Sequence, residues 1–392
     1  MRTCPMPATR VLHVVLNRLE VSSGVTHSLV ALFAAMDRDR YVFDFVVPPG
    51  KREHFDPIVE ELGGRVIHHP TAFDTRHPAR LLSGLVRLVR ESEAPIVHSH
   101  ANFRSSYVLG CARLAGARGR IAHSQTDSGA LETSRAVRAR RLVQRASVRA
   151  ASNARIGCAE GAARWLFGSQ WHAHAEIIHP GIDDGALDIP DRRAATRAEL
   201  AADHGVPVDA ILVLCVARLD LEQKNQLLLV EAMQELVRRG RTDVHVVLAG
   251  DGLDEAVVRA HIAELGLDDH VHLVGARSDV AELLQACEVA ALPSHYEGLP
   301  LIAMQSQGAG VPSVFSTAVE EVGIFTPSIV QRLAATAGPV AWADALLRAA
   351  ETERMPLTES LPALRAAGLT HASQAEAVTA IYDRLLAPRT HR

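Results

Sequence analysis

Residues Glu288 to Gln305 read EVAALPSHYEGLPLIAMQ and combine a strand pattern, a loop and a helix start. The apolar run Val289 to Leu292 is typical of a short buried strand. The loop after it carries one carboxylate, Glu297, beside a glycine, and Leu299-Pro300-Leu301 favours a first helical turn. A helix N-terminus behind a strand offers free amides and a positive dipole to an anion. The stretch predicts an α/β fold and leaves two interpretations open, an anion site under one acid or an ordinary strand–loop–helix joint.

The same alternation extends on both sides of this stretch. Upstream, the continuous apolar run Ile211 to Ala217 predicts a strand buried on both faces of a sheet. Further strands are predicted at Val244 to Ala249 and Val271 to Val274, each followed by a helix. Downstream, Val311 to Phe315 is one more strand, whereas Pro327 to Ala335 is expected to be a loop or a brief helix.

The N-terminal half shows the same alternation, with about six strands that begin with Val11 to Leu16. Strand, helix and strand in that order indicate right-handed parallel units and a doubly wound sheet. Ligands bind at the carboxyl ends of the strands in such a sheet. A single histidine there is more often a packing residue, but several polar residues at one edge favour a binding site. The polar residues after these strands are Gly24, His98, His100, His123, Ser124 and Gln125.

Length and composition bound the class of protein. The chain has 392 residues, which suggests two domains, and the polar, proline-broken segment Asp184 to Asp209 is the predicted boundary. A formal net charge of −4 gives no reason to expect nucleic-acid binding. The five cysteines are far apart, and four have apolar neighbours, as expected for core residues of a reduced, cytoplasmic protein. The histidine pairs lack the helical spacing of a zinc helix, so no metal site is predicted.

No uninterrupted apolar stretch is long enough for a transmembrane helix, and the N-terminus lacks the apolar core of a signal peptide. A predicted helix at residues 134–151 is rich in arginine and has no acid between Glu132 and Glu160. The charged face of such a helix is usually just exposed to solvent. It also suits contact with an anionic acceptor or with anionic lipid at the inner face of a membrane.

Two cations follow the strand at Ile211 to Ala217. Arg218 stands at the strand end and Lys224 follows on the same loop. A guanidinium that grips two oxygens and an ammonium that acts as a point charge together suit a diphosphate. The alternative is that both cations form salt bridges with neighbouring acids. The Gly250-Asp251-Gly252 sequence ends the next strand, where glycine permits close approach of the backbone.

With Arg218, Lys224, Gly250-Asp251-Gly252 and the Pro293 to Leu301 motif in this order, the C-terminal half resembles retaining glycosyltransferase family 4. The match is specific in this half and weaker in the N-terminal half. There the pieces that resemble bacterial exopolysaccharide-type members are His98-Ser99-His100, Arg120 to Ser124, Cys158 to Gly168 and Gly181-Ile182-Asp183.

The resemblance implies the GT-B fold, two Rossmann-like doubly wound domains that face a central cleft. The N-terminal acceptor domain would comprise residues 1–183 and be completed by a C-terminal helix at about 373–392. The donor domain would comprise residues 184–372.

The resemblance also implies roles for individual residues. Arg218 and Lys224 would bind the donor diphosphate, Glu297 would contact the donor sugar, and Arg277 would lie near the base. Such enzymes need no metal or cofactor, because cations and a helix N-terminus offset the diphosphate charge. Further donor-binding positions are Gly250, Gly298, Leu299, Pro300, Leu301 and Gln305. His123 is a catalytic candidate, and the acceptor-side candidates are Gly24, His100 and Gln125.

Three positions depart from the family pattern. Gln305 stands where the family usually has a second glutamate, which predicts weaker donor binding. The sequence after the fifth strand reads His123-Ser124-Gln125, whereas related chains often have a second histidine at the last position. The glycine-rich loop after the first strand is shortened to Ser22-Ser23-Gly24.

The leading hypothesis is a retaining enzyme that moves a hexose-type sugar from a nucleotide-diphosphate donor, with UDP implied by the resemblance alone. The acceptor would be a saccharide, a lipid-linked saccharide or a small natural product. One alternative is a nucleotide-sugar epimerase, which the Arg218, Lys224 and Glu297 combination disfavours. Another is a degenerate sugar-nucleotide-binding or scaffold protein, suggested by Gln305 and Gln125.

Overall fold

A computed structural model describes residues 8–16, 18–19, 24–70, 76–125 and 135–388. The chain divides into two compact units. Unit 1 comprises Met1–Gly181 together with His371–Arg392, and unit 2 comprises Ile182–Thr370. In the described part of the chain, no helix combines the length and the apolar character needed to cross a bilayer.

Unit 1 is built on one sheet, whose strands are β1 (Thr9–Val14), β2 (Tyr41–Val47), β3 (Arg65–His68), β4 (Ile96–Ser99), β5 (Gly119–Ser124), β6 (Ala154–Gly157) and β7 (Glu176–Ile177). The helices between them are α1 (Gly24–Ala35), α2 (Asp56–Glu61), α3 (Pro78–Ser92), α4 (Ser105–Ala115), α5 (Arg135–Ala151) and α6 (Glu160–Phe167). The sheet is parallel throughout, in the order β3-β2-β1-β4-β5-β6-β7.

Both faces of this sheet are covered by apolar side chains. Along β1, Leu12 and Val14 belong to one buried cluster, whereas Val11 belongs to the other. Successive side chains of a strand point to opposite faces, so alternate residues enter separate cores. This arrangement explains why the strands read as continuous apolar runs rather than alternating ones.

Unit 2 is built on a second parallel sheet, whose strands are β8 (Ile211–Val216), β9 (Val244–Ala249), β10 (Val271–Gly275), β11 (Val289–Leu292), β12 (Ser313–Ser316) and β13 (Val330–Leu333). Its helices are α7 (Arg193–His204), α8 (Leu221–Lys224), α9 (Leu227–Arg238), α10 (Glu255–Glu264), α11 (Val280–Ala286), α12 (Leu301–Gly308), α13 (Pro339–Ala350) and α14 (Leu357–Ala366). The strand order is β10-β9-β8-β11-β12-β13. The last helix, α15 (His371–Leu386), belongs to unit 1.

The strand order of each sheet reverses at one point, between β1 and β4 in unit 1 and between β8 and β11 in unit 2. The helices that follow the two strands at such a point leave the sheet on opposite sides. A crevice therefore opens at the carboxyl ends of these strands, and this is where open α/β sheets bind ligands.

The α/β fold predicted from the sequence is confirmed, with several local corrections. Val330–Leu333 is strand β13, so the prediction of a loop or brief helix over Pro327 to Ala335 is wrong there. Its residues pair with β12, and a short polar edge strand of this kind has little apolar pattern of its own. The segment expected to be a boundary contains helix α7, and unit 1 gains the two-residue strand β7.

A buried glutamine, Gln307, fixes helix α12 in place. Its side-chain amide donates to the carbonyl oxygens of Ala303 (2.7 Å) and Gly323 (2.6 Å). Its carbonyl oxygen accepts from the amides of Phe325 and Thr326, at 3.0 and 3.1 Å. Since a buried polar group without partners would cost about 1–3 kcal/mol, this set of bonds fixes the helix against the segment that follows β12.

The four cysteines in the described part of the chain are free and buried, as predicted for core residues: Cys111, Cys158, Cys215 and Cys287. Burial raises the pKa of Cys215 and of Cys287 to about 12. These thiols therefore stay protonated and behave as small apolar side chains.

Candidate functional site

The loop that leaves β8 is a compact turn at the reversal point of unit 2. The carboxylate of Asp220 caps the single turn of α8 by accepting from the amide of Gln223 at 3.2 Å. Asn225 ends that turn in the left-handed region with φ 54°, a conformation that asparagine tolerates better than most residues. Arg218 accepts at its carbonyl oxygen from the Gln226 side chain at 2.6 Å. The turn therefore holds Lys224 in a defined place.

Lys224 forms an ion pair with Glu297, which lies in the loop between β11 and α12. Its Nζ lies 2.7 Å from Glu297 Oε1, and Ser294 Oγ donates to the same oxygen at 2.6 Å. The side chains are 14% exposed for Lys224 and 4% for Glu297, so the ion pair is largely withdrawn from water. Both contacts use Oε1, and neither uses Oε2.

Further hydrogen bonds join the two loops. The amide of His295 donates to the carbonyl oxygen of Gln223 at 2.8 Å, and the Gln223 side chain donates to the carbonyl oxygen of Tyr296 at 3.3 Å. Asn225 donates to the carbonyl oxygen of Pro293 at 3.3 Å. The loops after β8 and β11 thus form one structural element, which sets the position of the Lys224–Glu297 pair.

Gly250 packs against the backbone of Ala217, the residue that follows β8, which is the close backbone approach predicted for this glycine. A Cβ atom there would lie 2.0 Å from the carbonyl oxygen of Ala217, and its φ of 153° is unfavourable for other residues. Its amide donates to the carbonyl oxygen of Gly275 at 2.8 Å. Gly252 makes a similar approach, since a Cβ atom there would lie 2.2 Å from the carbonyl oxygen of Leu219.

Helix α12 begins directly behind Glu297. Gly298 and Leu299 are buried, and Pro300 has an extended backbone (φ −72°, ψ 126°) at the N-cap position. The first helical residue is Leu301, so Pro300 precedes the first turn rather than forming part of it. Gln305 lies half-buried on the same helix, one turn after Leu301. The free amides of this N-terminus make the end of α12 favourable for an anion.

The two arginines of the predicted site are engaged with acids. Arg218 Nη2 lies 3.2 Å from Asp220 Oδ2, and the Arg218 side chain is 48% exposed. Arg277 forms a two-point pair with Asp279, whose Nε–Oδ1 distance is 2.7 Å. Hydrogen bonding within that pair raises the pKa of Arg277 and lowers the pKa of Asp279. Among the described residues, Arg277 bonds to Asp279 and to none of the other predicted site side chains.

The alternative of salt bridges to acids is therefore realised for Arg218 and Lys224, and Arg277 is likewise paired with an acid. The three pairs differ in character. Exposed ion pairs such as Arg218–Asp220 contribute about 0–1 kcal/mol to stability, so Arg218 can exchange Asp220 for another partner at little cost in free energy. The withdrawn Lys224–Glu297 pair carries a desolvation cost that its attraction has to offset. This pair lies at the carboxyl ends of the strands, where open α/β sheets bind their ligands.

Unit 1 places His98, His100 and His123 together at its own reversal point. His98 Nε2 lies 3.2 Å from His123 Nδ1. Two residues that the sequence analysis missed complete the cluster. His13 Nδ1 lies 3.1 Å from His100 Nε2, and the Tyr382 hydroxyl lies 2.9 Å from His98 Nδ1 and 3.3 Å from His13 Nε2. The histidine inside the apolar run of β1 was the available sequence signal, whereas nothing local marked Tyr382.

The cluster is fully buried, with none of its five side chains more than 6% exposed. Burial holds the pKa values of His13, His98 and His100 well below the usual 6.5 and lowers that of His123 to about 3. All four imidazoles are therefore neutral at physiological pH.

The remaining acceptor-side candidates differ in their surroundings. Gly24 is the exposed first residue of α1, and Ser22 and Ser23 lie outside the described residues. Gln125 directly follows β5, and its Oε1 is buried without a hydrogen-bond partner among the described residues. Gln125 is thus held at the same sheet edge as His123, as expected from its position after the fifth strand.

Comparison with known proteins finds related glycosyltransferases. The model of the glycosyl transferases group 1 family matches residues 196–358, all within unit 2. A putative glycosyltransferase from Bacillus subtilis (strain 168), EpsF, is 29% identical over 350 residues and is matched over 88% of each chain.

Unit 2 therefore contains a domain of the glycosyl transferases group 1 family. The chain is a glycosyltransferase, and the family resemblance stated from the sequence is confirmed.

Two further comparisons extend the match. A D-inositol 3-phosphate glycosyltransferase from Kineococcus radiotolerans is 30% identical over 236 residues, which cover 55% of this chain and 53% of that protein. The crystal structure of Anabaena Alr3699/HepE in complex with UDP-glucose superposes with a TM-score of 0.77 at 15% identity, over 96% of this chain and 99% of the other. The expected GT-B-like fold, with its two parallel sheets, is thereby confirmed.

The buried histidines predict a specific sensitivity of this glycosyltransferase to acid. Unfolded histidine takes up a proton near pH 6.5, whereas the folded cluster stays neutral, so below that pH the unfolded state binds more protons. The free energy of unfolding should fall as the pH drops from about 7.5 to about 5.5, by up to about 1.4 kcal/mol per pH unit for each histidine. For His123 this loss continues to its folded pKa of about 3.

Urea unfolding over this pH range measures the effect. His123→Gln should reduce the slope of unfolding free energy against pH, while His54→Gln, at an exposed position, should leave it unchanged. An equal slope in wild type and His123→Gln would contradict the assignment of neutral, buried histidines.

Proposed function

We propose that this glycosyltransferase moves a hexose-type sugar, with retention of anomeric configuration, from a nucleotide-diphosphate donor to an acceptor hydroxyl. The donor is proposed to be a UDP-sugar, and the product a polysaccharide or a glycosylated natural product. The observation that carries the proposal is the largely buried Lys224–Glu297 ion pair, whose glutamate lies in the loop that leads into α12.

The chemistry of a sugar diphosphate explains why these groups stand together. Departure of the nucleotide places negative charge on the diphosphate, and fixed cations and amide dipoles stabilise that charge without reorganising. Lys224 and the amides of Gly298, Leu299 and Leu301 supply the fixed groups, and the half-exposed Arg218 can turn from Asp220 to the phosphate. In this proposal the charge is met without a metal ion or a cofactor.

Glu297 is proposed to bind a hydroxyl of the donor sugar through Oε2, because Ser294 and Lys224 both occupy Oε1. Gln305 is proposed to contact the nucleotide ribose as a neutral group, with a weaker bond than a carboxylate would give. Arg277 and Gly250 are proposed to line the nucleotide side.

Support for the donor class comes from a protein of similar fold, since HepE is described in complex with UDP-glucose. The Kineococcus relative is named a D-inositol 3-phosphate glycosyltransferase. We propose acceptors of the saccharide, lipid-linked saccharide or small natural-product class for this chain. The epimerase and scaffold alternatives gain no support from the contacts described above.

Glu297→Gln tests the donor site. The amide keeps the shape and a hydrogen bond to Ser294, but it loses the charge that pairs with Lys224 and weakens the bond to the sugar. Nucleotide release from UDP-glucose should fall by about 100-fold, the magnitude typical of one lost transition-state interaction. The assay also compares GDP-, ADP- and TDP-linked sugars.

Glu235→Gln is the matched control, because Glu235 is a salt-bridged glutamate of unit 2 that pairs with Arg238 and Arg239. It should release nucleotide at the wild-type rate. No turnover of any donor by the wild type would contradict the proposed reaction. Undiminished turnover by a folded Glu297→Gln variant would contradict the site assignment but not the proposed reaction.

We also propose that helix α5 meets an anionic membrane surface near the acceptor. Arg138 and Arg140 are exposed on it, beside the exposed Leu142 (66%) and Val143 (68%). Arg141 instead packs over the ring of Phe103, 4.2 Å from its centroid, so it is part of the fold. The membrane-facing part of the helix therefore excludes Arg141.

Vesicle co-sedimentation tests this surface. Each arginine near an anionic bilayer contributes about 1 kcal/mol, so Arg138→Gln with Arg140→Gln should weaken binding to phosphatidylglycerol vesicles by roughly 30-fold. Arg80→Gln with Arg87→Gln on α3 makes the same charge change at exposed positions and should have little effect. Equal binding by all three proteins, or none by the wild type, would count against membrane contact.

A further inference from the structure

The buried cluster of unit 1 is a hydrogen-bonded chain with two open ends. Its order is His123, His98, Tyr382, His13 and His100, joined by the four contacts of 3.2, 2.9, 3.3 and 3.1 Å described above. The outer nitrogens, His123 Nε2 and His100 Nδ1, are buried and have no hydrogen-bond partner among the described residues. Buried polar atoms without partners are uncommon and require an explanation.

The ring geometry supports a hydrogen-bonded chain rather than a metal centre. The planes of His13 and His100 are 9° apart, and those of His98 and His123 are 17° apart, so each pair is nearly coplanar across its N···N contact. Nitrogen atoms of His13, His98 and His100 lie within 4.8 Å of one another, which is close enough for a metal ion to be considered. In that case facing nitrogens would have to give up contacts to each other and to Tyr382.

The chain must also have a direction. A neutral imidazole has one N–H donor and one bare nitrogen, and a tyrosine hydroxyl has one donor. The tyrosine oxygen can accept from both neighbours only by leaving its own buried O–H without a partner. When that O–H also donates, all four bonds run the same way along the chain. One open end is then a donor and the other an acceptor, whichever direction is taken.

The rings that carry the two open ends lie close together. Tyr382 forms the bend of the chain, His98 stacks on His100 with ring centroids 4.4 Å apart, and the centroids of His100 and His123 are 5.1 Å apart. One oxygen atom can bridge two rings at such a separation with two hydrogen bonds of about 2.8 Å. An alcohol oxygen, which donates once and accepts at least once, matches one donor end and one acceptor end.

We propose that His100 Nδ1 and His123 Nε2 together bind one hydroxyl of a neutral polyol or saccharide, closing the chain into a ring. The proposal rests on the proposed function in that this hydroxyl belongs to the sugar acceptor. Since the imidazoles are neutral, the ends offer no charge to a phosphate or carboxylate, and the site selects an uncharged group. Tyr382 is a positioning residue, which links the two arms of the chain and does not touch the ligand.

Nuclear magnetic resonance of protein labelled with ¹⁵N-histidine tests binding without any turnover. Addition of D-glucose as the neutral probe should shift the ring-nitrogen resonances of His100 and His123, and sulfate should not shift them. Lack of any shift with D-glucose, or equal shifts with sulfate, would overturn the proposal. Loss of a bound metal on chelation, with the same resonances moving, would also overturn it, because the nitrogens would then be ligands.

Tyr382→Phe and Tyr41→Phe form a matched pair for the positioning role. Both hydroxyls are in unit 1 and both tyrosines are buried, but Tyr41 donates to Asp383 at 2.6 Å and lies outside the chain of hydrogen bonds. Tyr382→Phe should weaken the D-glucose-induced shifts about tenfold in apparent Kd, the effect of losing about one hydrogen bond, while Tyr41→Phe should match the wild type.

Nucleotide release separates this inference from the proposed function. With an acceptor that supports turnover, Tyr382→Phe should raise the acceptor KM about tenfold and leave the UDP-sugar KM unchanged. Equal changes in both constants, or in neither, would refute the positioning role even if the enzyme is active. A wild type with no turnover would refute the proposed function, while the resonance shifts would still decide whether the hydroxyl site exists.

Discussion

The order of strands in the two parallel sheets is the constraint on which both sites depend. In each sheet a single reversal of strand order opens a crevice at the carboxyl ends of two neighbouring strands. Unit 2 uses that edge to hold Lys224 beside Glu297, and unit 1 uses it to hold its four histidines. The same backbone arrangement thus supports a charged site in one unit and a neutral one in the other.

The two sites differ in the charge that their buried side chains carry. Around Glu297, a lysine and a serine compensate one carboxylate, and the helix behind it adds the dipole of its N-terminus. Around His98, no acid in the described part of the chain stabilises a proton, and the rings of Phe43 and Phe45 pack on His13 at centroid distances of 4.1 and 5.3 Å. A diphosphate suits the first environment, whereas an uncharged hydroxyl suits the second.

The sequence predicted most of the fold, because continuous apolar runs and the alternation of strand and helix are local patterns. Where a segment lacked its own pattern, as at β13 and β7, only pairing with a neighbouring strand makes it a strand. The Glu297 motif and the cations after β8 could be read directly, since glycine and charged residues mark strand ends. Their mutual contact, and the Asp279 partner of Arg277, depend on side-chain geometry that spacing alone does not determine.

The histidine cluster shows the limit of sequence reasoning most plainly. His98, His100 and His123 follow strands and could be singled out, but His13 sits inside an apolar run and Tyr382 lies more than 250 residues from His123 along the chain. Pairing of β1 with β4 places His13 opposite His98, and the packing of α15 in unit 1 supplies Tyr382. A role for Ser294 was likewise hidden until its bond to Glu297 was seen.

Hydrogen–deuterium exchange with and without UDP-glucose tests the central claim most directly, because it locates the donor without assuming any residue role. The account predicts slower exchange in two segments of unit 2, residues 218–226 and 294–303, which carry the loop after β8 and the start of α12. Unchanged exchange in both segments at saturating UDP-glucose, with protection elsewhere, would contradict it.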